Sequence, residues 1–210
     1  MCMKITFYIL SLLLVLLSCH PQPQITNLDV IPEITAKDRQ YENAYKLLDG
    51  KWKGNFQIFE DKKRVSKEML DLKLITTKSL EKEGITLVDE IEVEQIYTSE
   101  TPFFQRVTIT DYYPKTGKKV AAKGVNKVQN GKLLCVVIKP NDTVVHDGYL
   151  EKENTIIWQR NEKTPQKVEY FRETVDQQFY EIIGWGYYDG DDLSLSPKFW
   201  FYGKYERAIR

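Results

Sequence analysis

Few side chains in this sequence have the type and spacing to do chemistry. There are two histidines, His20 and His146, and only His146 lies in a segment patterned like a folded domain. A zinc site with two His ligands is therefore excluded by count, and any triad built on imidazole must use His146. Its neighbour Asp147 cannot orient that ring on a strand, because successive strand side chains point to opposite faces. His146 reads as a polar wall or surface position. Cys135, within Leu133-Leu134-Cys135-Val136-Val137-Ile138, reads as a small core hydrophobe. The acidic turn Asp189-Gly190-Asp191-Asp192 lacks the spacing and closing Glu of an EF-hand loop and reads as a solvated turn. Asn141-Asp142-Thr143 is a glycosylation sequon, relevant only in a eukaryotic source. The sequence contains no P-loop, dinucleotide fingerprint, nucleophile elbow or HExxH. It therefore supplies no catalytic residue, no metal site and no cofactor.

The cysteine with the clearest chemical expectation is Cys19. Lys4 is followed by the apolar stretch Phe7 to Leu17 and then by Ser18-Cys19, the arrangement of a secretory signal. The stretch is too short to span a hydrocarbon core, which needs roughly 20 residues. Leu16-Leu17-Ser18-Cys19 resembles a bacterial lipobox, whose Cys is acylated and becomes the first residue after cleavage. That implies a lipoprotein held on a membrane by acyl chains (palmitate among them) at Cys19, without a transmembrane helix. His20, rather than Asp, follows the Cys; this favours the outer membrane if the cell is Gram-negative, and the cell envelope in any case. Cys2 leaves with the signal and Cys19 is the anchor, so Cys135 is left without an intramolecular disulfide partner.

Charge narrows the partners further. The whole chain of 210 residues carries 30 basic and 30 acidic side chains. Removing residues 1–18, which contain Lys4 and no acid, leaves one net negative charge. A near-neutral domain is a poor match for a polyanion, so no nucleic-acid partner is expected. The membrane, through Cys19, is the expected partner, and another envelope protein is compatible with it.

The elements that must position these residues follow from periodicity. Residues 20–35 contain Pro21, Pro23 and Pro32 without a sustained period and read as a tether of up to roughly 45 Å if extended at ~3.1 Å per residue. Residues 36–48 follow Thr35, a suitable N-cap, and place Tyr41, Ala44, Tyr45 and Leu48 at helical spacing; a short amphipathic helix is expected, stopped by Asp49-Gly50. From Lys51 the texture is β. Trp52, Gly54, Phe56 and Ile58 share one face of a strand over 51–58, Leu70, Leu72 and Leu74 repeat the pattern, and Ile85, Leu87, Ile91 and Val93 continue it. Further strands are expected over 103–113, 118–128, 132–139, 143–150, 155–161, 167–174, 178–188 and 197–208. Turn sequences separate them, including Lys115-Thr116-Gly117, Asn130-Gly131 and Asp189-Gly190. Strands linked so closely must be antiparallel neighbours, and closing the meander removes its two edges. The chain divides into a signal peptide (1–18), a lipidated Cys and tether (19–35) and a β domain with a leading helix (36–210).

Gly50-Lys51-Trp52 at the start of the β domain resembles the G-x-W of lipocalin-like (calycin) proteins. Thr110-Asp111-Tyr112 resembles their T-D-Y, and Arg207 stands near the end of the last strand. The resemblance, closest to uncharacterised lipocalin-like domains, covers roughly 47–208. It implies an all-β, antiparallel up-and-down calycin-like barrel of roughly 8–11 strands preceded by a short N-terminal helix. It also implies that Trp52 packs at the closed end beneath Arg207, a cation–π closure. Lipocalins carry a helix after that Arg, whereas this chain ends three residues beyond it. Fatty-acid-binding-protein barrels are similar in outline; they clamp a carboxylate with Arg-x-Tyr, whereas Tyr205-Glu206-Arg207 has the reverse order. Nitrobindin-like haem barrels need a His near the C-terminus, which His146 does not supply.

Such a barrel is either filled by side chains or holds one small ligand. Alternation assigns Trp52, Phe56, Leu72, Leu74, Trp158, Tyr170, Trp185, Tyr187, Phe199 and Phe201 to the interior. Arg160, Arg172, Tyr205 and Arg207 share that parity, so Arg160, Arg172, Tyr205, Arg207, Trp158 and Trp185 are the candidate ligand-binding residues. The expected function is non-enzymatic binding of a small apolar or amphipathic molecule at a membrane. The alternative is a structural or protein-interaction module whose barrel is packed solid.

Overall fold

The computed structural model describes residues 25–208. Cys19, its lipobox and the signal segment lie outside the described residues. Ten antiparallel strands close into one barrel, each hydrogen-bonded to its chain neighbours and the last to the first. They are β1 (Gly50–Asp61), β2 (Ile85–Thr101), β3 (Phe104–Tyr113), β4 (Lys118–Gln129), β5 (Lys132–Lys139), β6 (Asp142–Lys152), β7 (Thr155–Lys163), β8 (Gln166–Val175), β9 (Phe179–Tyr188) and β10 (Phe199–Arg207). The β1–β10 register sets Trp52 opposite Arg207 and Ile58 opposite Phe201. Full closure leaves no strand edge open to pair with another chain. The Asn130-Gly131 turn joins β4 to β5 with both residues at positive φ (56° and 74°), the two-residue hairpin geometry that Asn-Gly adopts with least strain.

The expected helix over 36–48 is instead two short 3-10 turns, Arg39–Tyr41 and Lys46–Leu48. Asn43 between them takes a left-handed conformation (φ 61°), and its amide donates to the Pro102 carbonyl at 2.9 Å instead of continuing a helix. The break lets Tyr45 enter the barrel end. There it stacks on Trp158 at 6.5 Å between ring centroids, and its hydroxyl donates to the Lys127 carbonyl at 2.9 Å. Side-chain burial and a hydrogen-bonded hydroxyl thus outweigh helix propensity, which is a weak prior in tertiary context.

The region 70–74 is not a strand. It belongs to the long β1–β2 connection, where Lys67–Met69 and Thr77–Glu81 form 3-10 turns. This connection lies over the outside of the barrel. Leu72 and Ile75 are buried there against Ile157, Tyr170, Trp185, Tyr187 and Trp200. Arg64 fastens the loop to the β9–β10 connection by donating to the carbonyls of Ser196 (2.6 Å) and Asp192 (2.8 Å). Leu74 is exposed.

The tether expected over 20–35 is not free along its described part. Leu28 packs against an outer cluster of Phe104, Val125 and Val136, and Pro32 is buried. Arg106 donates to the Leu28 carbonyl at 3.1 Å and Lys127 to that of Asn27 at 3.3 Å. The barrel therefore buries apolar side chains on both faces of several strands: inward into the lumen, and outward beneath these two covering segments. No described helix is long and apolar enough to cross a membrane.

Candidate functional site

Inward side chains do not fill the barrel. A mouth chamber of about 390 Å³ opens at the end bearing the β3–β4, β5–β6 and β7–β8 turns. Below it lies a chamber of about 180 Å³ reaching toward the closed end. Phe56, Ile109, Val144, His146, Phe171 and Ile182 line both. The space exists partly because large inward residues alternate with glycines. At Gly148 a Cβ would fall 2.4 Å from the Trp158 ring, so only glycine lets that indole lie against the wall.

The closed end is a polar-buttressed plug. Trp52 is fully buried, donates through Nε1 to the Leu48 carbonyl at 2.7 Å and meets Tyr180 edge-on at 5.8 Å. The Arg207 guanidinium carbon sits 4.2 Å from the Trp52 ring centroid. Arg207 also donates to the carbonyls of Leu47 (3.0 Å), Gln177 (2.9 Å) and Asp49. Asp49 Oδ1 in turn accepts from Ser99 and from the buried Gln105. Burial opposes ionisation of Asp49, but hydrogen bonds from Lys46, Gln105 and Ser99 hold its carboxyl below the usual range.

At the mouth, Arg160 is almost wholly buried and faces three carboxylates. Its Nε–Glu162 contact is 2.7 Å, and its terminal nitrogens lie 3.5 Å from Asp142 and 3.7 Å from Glu169. Lys167 adds a 2.9 Å pair with Asp142. His146 Nε2 lies 3.0 Å from Glu169 Oε2, and the Tyr188 hydroxyl donates to Glu169 Oε1 at 2.8 Å. Burial alone would raise the Glu169 pKa, yet His146, Tyr188 and Arg160 together keep it below the usual range. Asp111 also lines this chamber, and burial raises its pKa against the pull of Lys139. Asp147 points the other way and pairs with Lys132 at 2.9 Å, as alternation requires.

The lower chamber is different. Glu173 faces it with no ion-pair partner among the described residues, and burial pushes its pKa up to about 7, opposed by hydrogen bonding from Trp158 and Tyr180. The Tyr180 hydroxyl donates to Glu173 Oε1 at 3.0 Å. The Tyr97 hydroxyl donates to Gln95 Oε1 at 2.6 Å. Asn126 donates through Nδ2 to Gln105 Oε1 at 3.0 Å, while its Oδ1 has no partner. Burial raises the Tyr97, Tyr180 and Tyr205 hydroxyls well above their ordinary pKa, so they stay neutral.

Several interior assignments are corrected. Trp158, Arg160 and Tyr205 do face the lumen. Trp185, Tyr170 and Tyr187 face outward under the β1–β2 connection, with Trp185 Nε1 donating to the Leu72 carbonyl at 2.7 Å. Arg172 also faces outward and pairs with Glu151 at 2.7 Å. The reason is that β9 is apolar on both faces and the lumen face of β8 carries Lys167, Glu169 and Glu173 while its outer face carries Val168 and Tyr170, so hydrophobic alternation does not say which face is inside. Tyr205 and Arg207 do not form a clamp: Tyr205 packs on Tyr180 within the lumen at 5.0 Å, whereas Arg207 is committed to the closed end. The unanticipated lumen residues are Glu169, Glu173, Gln95 and Asn126. The alternation of Glu169, Phe171 and Glu173 was the available signal, masked by the stronger apolar appearance of Tyr170.

Cys135 lines the lower chamber. Burial, reinforced by the nearby Glu173 carboxyl, raises its thiol far above the ordinary value, so little nucleophilic thiolate forms. Native protein at pH 8 is expected to be alkylated by iodoacetamide at least about a hundredfold more slowly than protein unfolded in guanidinium. Equal rates, followed by mass spectrometry, would refute the buried-thiol assignment. Among the described residues no three His, Cys, Asp or Glu side chains are grouped to hold a metal ion.

No family model matches the chain, and no curated protein matches its sequence. Among solved structures, Rv2717c from M. tuberculosis aligns with a TM-score of 0.48 at 13% identity, covering 84% of this chain and 100% of that chain. A redesigned β-barrel, mFAP0, bound to DFHBI, aligns at 0.37 and 10% identity, covering 77% of this chain and 99% of that one. A second redesigned barrel, b11L5F_LGL, gives 0.37 and 10% over 80% and 96%. These are likenesses of barrel architecture alone.

Proposed function

We propose that this protein is a lipid-anchored envelope protein whose barrel carries one small amphipathic molecule and performs no catalysis on it. The observation that carries the reading is the unfilled lumen, with chambers of about 390 and 180 Å³. That space is within the size range of small-molecule sites, which are mostly apolar with a few convergent polar groups. The walls fit this pattern: Phe56, Ile109, Val144, Phe171 and Ile182 surround the polar groups of Glu173, Asn126 and the mouth network. A module that only docks other envelope proteins has no use for such a cavity. The lipocalin-like G-x-W, with Arg207 over Trp52, is consistent with a ligand-carrying barrel.

The lumen reading is tested by titrating the purified protein with the neutral fluorophore N-phenyl-naphthylamine. A saturable rise in emission is expected, and Val144→Trp, which places an indole in the shared wall of both chambers, is expected to remove it. No saturable rise, or an equal rise in the folded variant, would overturn the reading. Anchoring at Cys19 is a separate matter. Labelled palmitate is expected to enter the wild-type chain and not Cys19→Ala, with the variant released from the membrane fraction; a labelled, membrane-bound Cys19→Ala protein would contradict the anchor.

A further inference from the structure

The lower chamber has an unusual balance of hydrogen-bonding groups. Its carboxyl, Glu173, has no ion-pair partner among the described residues, and the two groups that hydrogen-bond toward it, Trp158 and Tyr180, are neutral. Asn126 is only 2% exposed, and its Oδ1 accepts from nothing while Nδ2 is committed to Gln105. A buried acceptor left unpaired is costly, and a ligand donor that meets it recovers that cost. The site therefore presents acceptors that lack donors, in a chamber walled by the rings of Tyr97, Trp158, Phe171 and Tyr180. Ring faces attract cations, most strongly when water is excluded. The basic side chains of the lumen are matched by carboxylates or exposed. Arg160 and Lys167 are matched by carboxylates at the mouth, His146 is paired with Glu169, and Lys139 reaches the chamber's upper edge from an exposed position. A ligand carboxylate entering the chamber would meet Glu173 and an orphaned carbonyl oxygen, both of the wrong sign.

We propose that the lower chamber binds the ammonium end of a small amphipathic amine. The Glu173 carboxylate takes its charge, Asn126 Oδ1 accepts one of its N–H groups, and the Trp158 and Phe171 rings flank it. This rests on the lumen being a ligand site and narrows the ligand to organic ammonium compounds with an apolar body. That body extends toward Phe56, Ile109 and Val144. The other titratable groups around the chamber are Tyr97 on β2, Cys135 and Lys139 on β5, His146 on β6, Tyr180 on β9 and Tyr205 on β10; burial holds Cys135 and the tyrosines neutral, Lys139 is exposed and His146 is paired with Glu169. Glu173 is therefore the one carboxyl lining this chamber among the described residues. Because it titrates near 7 there, an arriving cation displaces its proton, and amine affinity falls as pH drops below 7.

The test uses three molecules with closely matched bodies and different heads, namely phenethylamine, phenethyl alcohol and hydrocinnamate. Each is titrated calorimetrically into the full-length protein. Phenethylamine is expected to bind at least about tenfold more tightly than the alcohol, as a desolvated charge-assisted pair should, and hydrocinnamate more weakly than either. Glu173→Gln is expected to reduce the amine to the affinity of the alcohol and leave the alcohol unchanged. On wild-type protein, independent of any variant, amine binding is expected to weaken about fivefold from pH 7 to pH 6 and to release protons, seen as a dependence on buffer ionisation enthalpy. Hydrocinnamate or alcohol binding as tightly as the amine, or an amine affinity indifferent to pH and to Glu173→Gln, would overturn the proposal. If all three fail while N-phenyl-naphthylamine still binds, the ammonium site is wrong and the carrier stands. If the fluorophore fails too, both fall.

Discussion

Trp52→Ala is expected to lower the free energy of unfolding by about 4 kcal/mol, the range observed when a buried Trp or Phe is truncated to alanine. Trp52 is wholly buried, so the substitution leaves a cavity in the plug. It also strands the Leu48 carbonyl, which accepts the indole N–H at 2.7 Å, and removes the ring that Arg207 covers at 4.2 Å. Tyr180 loses its edge contact with the indole, and with it part of the support for its hydrogen bond to Glu173. Equilibrium denaturation in guanidinium, followed by far-ultraviolet circular dichroism, measures the loss. A change under about 1 kcal/mol would mean that the closed end contributes little to stability.

Glu173→Gln is expected to stabilise the protein at alkaline pH and to leave it nearly unchanged in acid. Burial pushes the native carboxyl up to about 7, against the ordinary 4.5 of a glutamate in the unfolded chain. Below 4.5 it is protonated both folded and unfolded and costs nothing. Between 4.5 and 7 the native state holds a proton that the unfolded state has lost, so stability falls as pH rises. Above 7 the cost is complete and amounts to at most about 3 kcal/mol, at about 1.4 kcal/mol per pH interval of one. Water entering the lumen reduces that figure. The amide variant removes the cost and should gain about 2 kcal/mol at pH 8 relative to wild type. Asp49, Asp142 and Glu169 act with the opposite sign. Their lowered pKa values give stability that is present above their unfolded pKa and lost as pH falls through their folded values. They are unchanged in the variant, so the difference between the two stability curves isolates Glu173. Equal stability of variant and wild type at pH 8 would remove the buried, cation-free carboxyl from the account.

The barrel was legible in the sequence because its turns announce themselves. Asn130-Gly131 and the regular spacing of polar breaks from 103 onward mark eight strands whose bounds differ from the observed ones by no more than two residues. The register on β1 was equally open, since Trp52, Gly54, Phe56 and Ile58 alternate with polar residues. What alternation could not supply was the inside of the later strands. On β9 both faces are apolar and on β8 the outer face is the more apolar one, because the β1–β2 connection covers it with Leu72 and Ile75. Tyr170, Trp185 and Arg172 were therefore placed in the lumen when Phe171 and Glu173 occupy it. Within the β1–β2 connection, Leu70, Leu72 and Leu74 have the period of a strand but no partner strand to pair with. The segment 36–48 kept its apolar face but not its helix, since Asn43 turns the chain so that Tyr45 can enter the barrel. Long-range contacts decide each of these points, and no local pattern encodes them.

Whether the lumen holds a small amphipathic molecule is read by native mass spectrometry of the purified full-length protein. The account predicts a non-covalent adduct on the order of a few hundred daltons, displaced by excess phenethylamine and absent from folded Val144→Trp. A single bare mass for the wild-type protein, unchanged after incubation with phenethylamine or N-phenyl-naphthylamine, would contradict it.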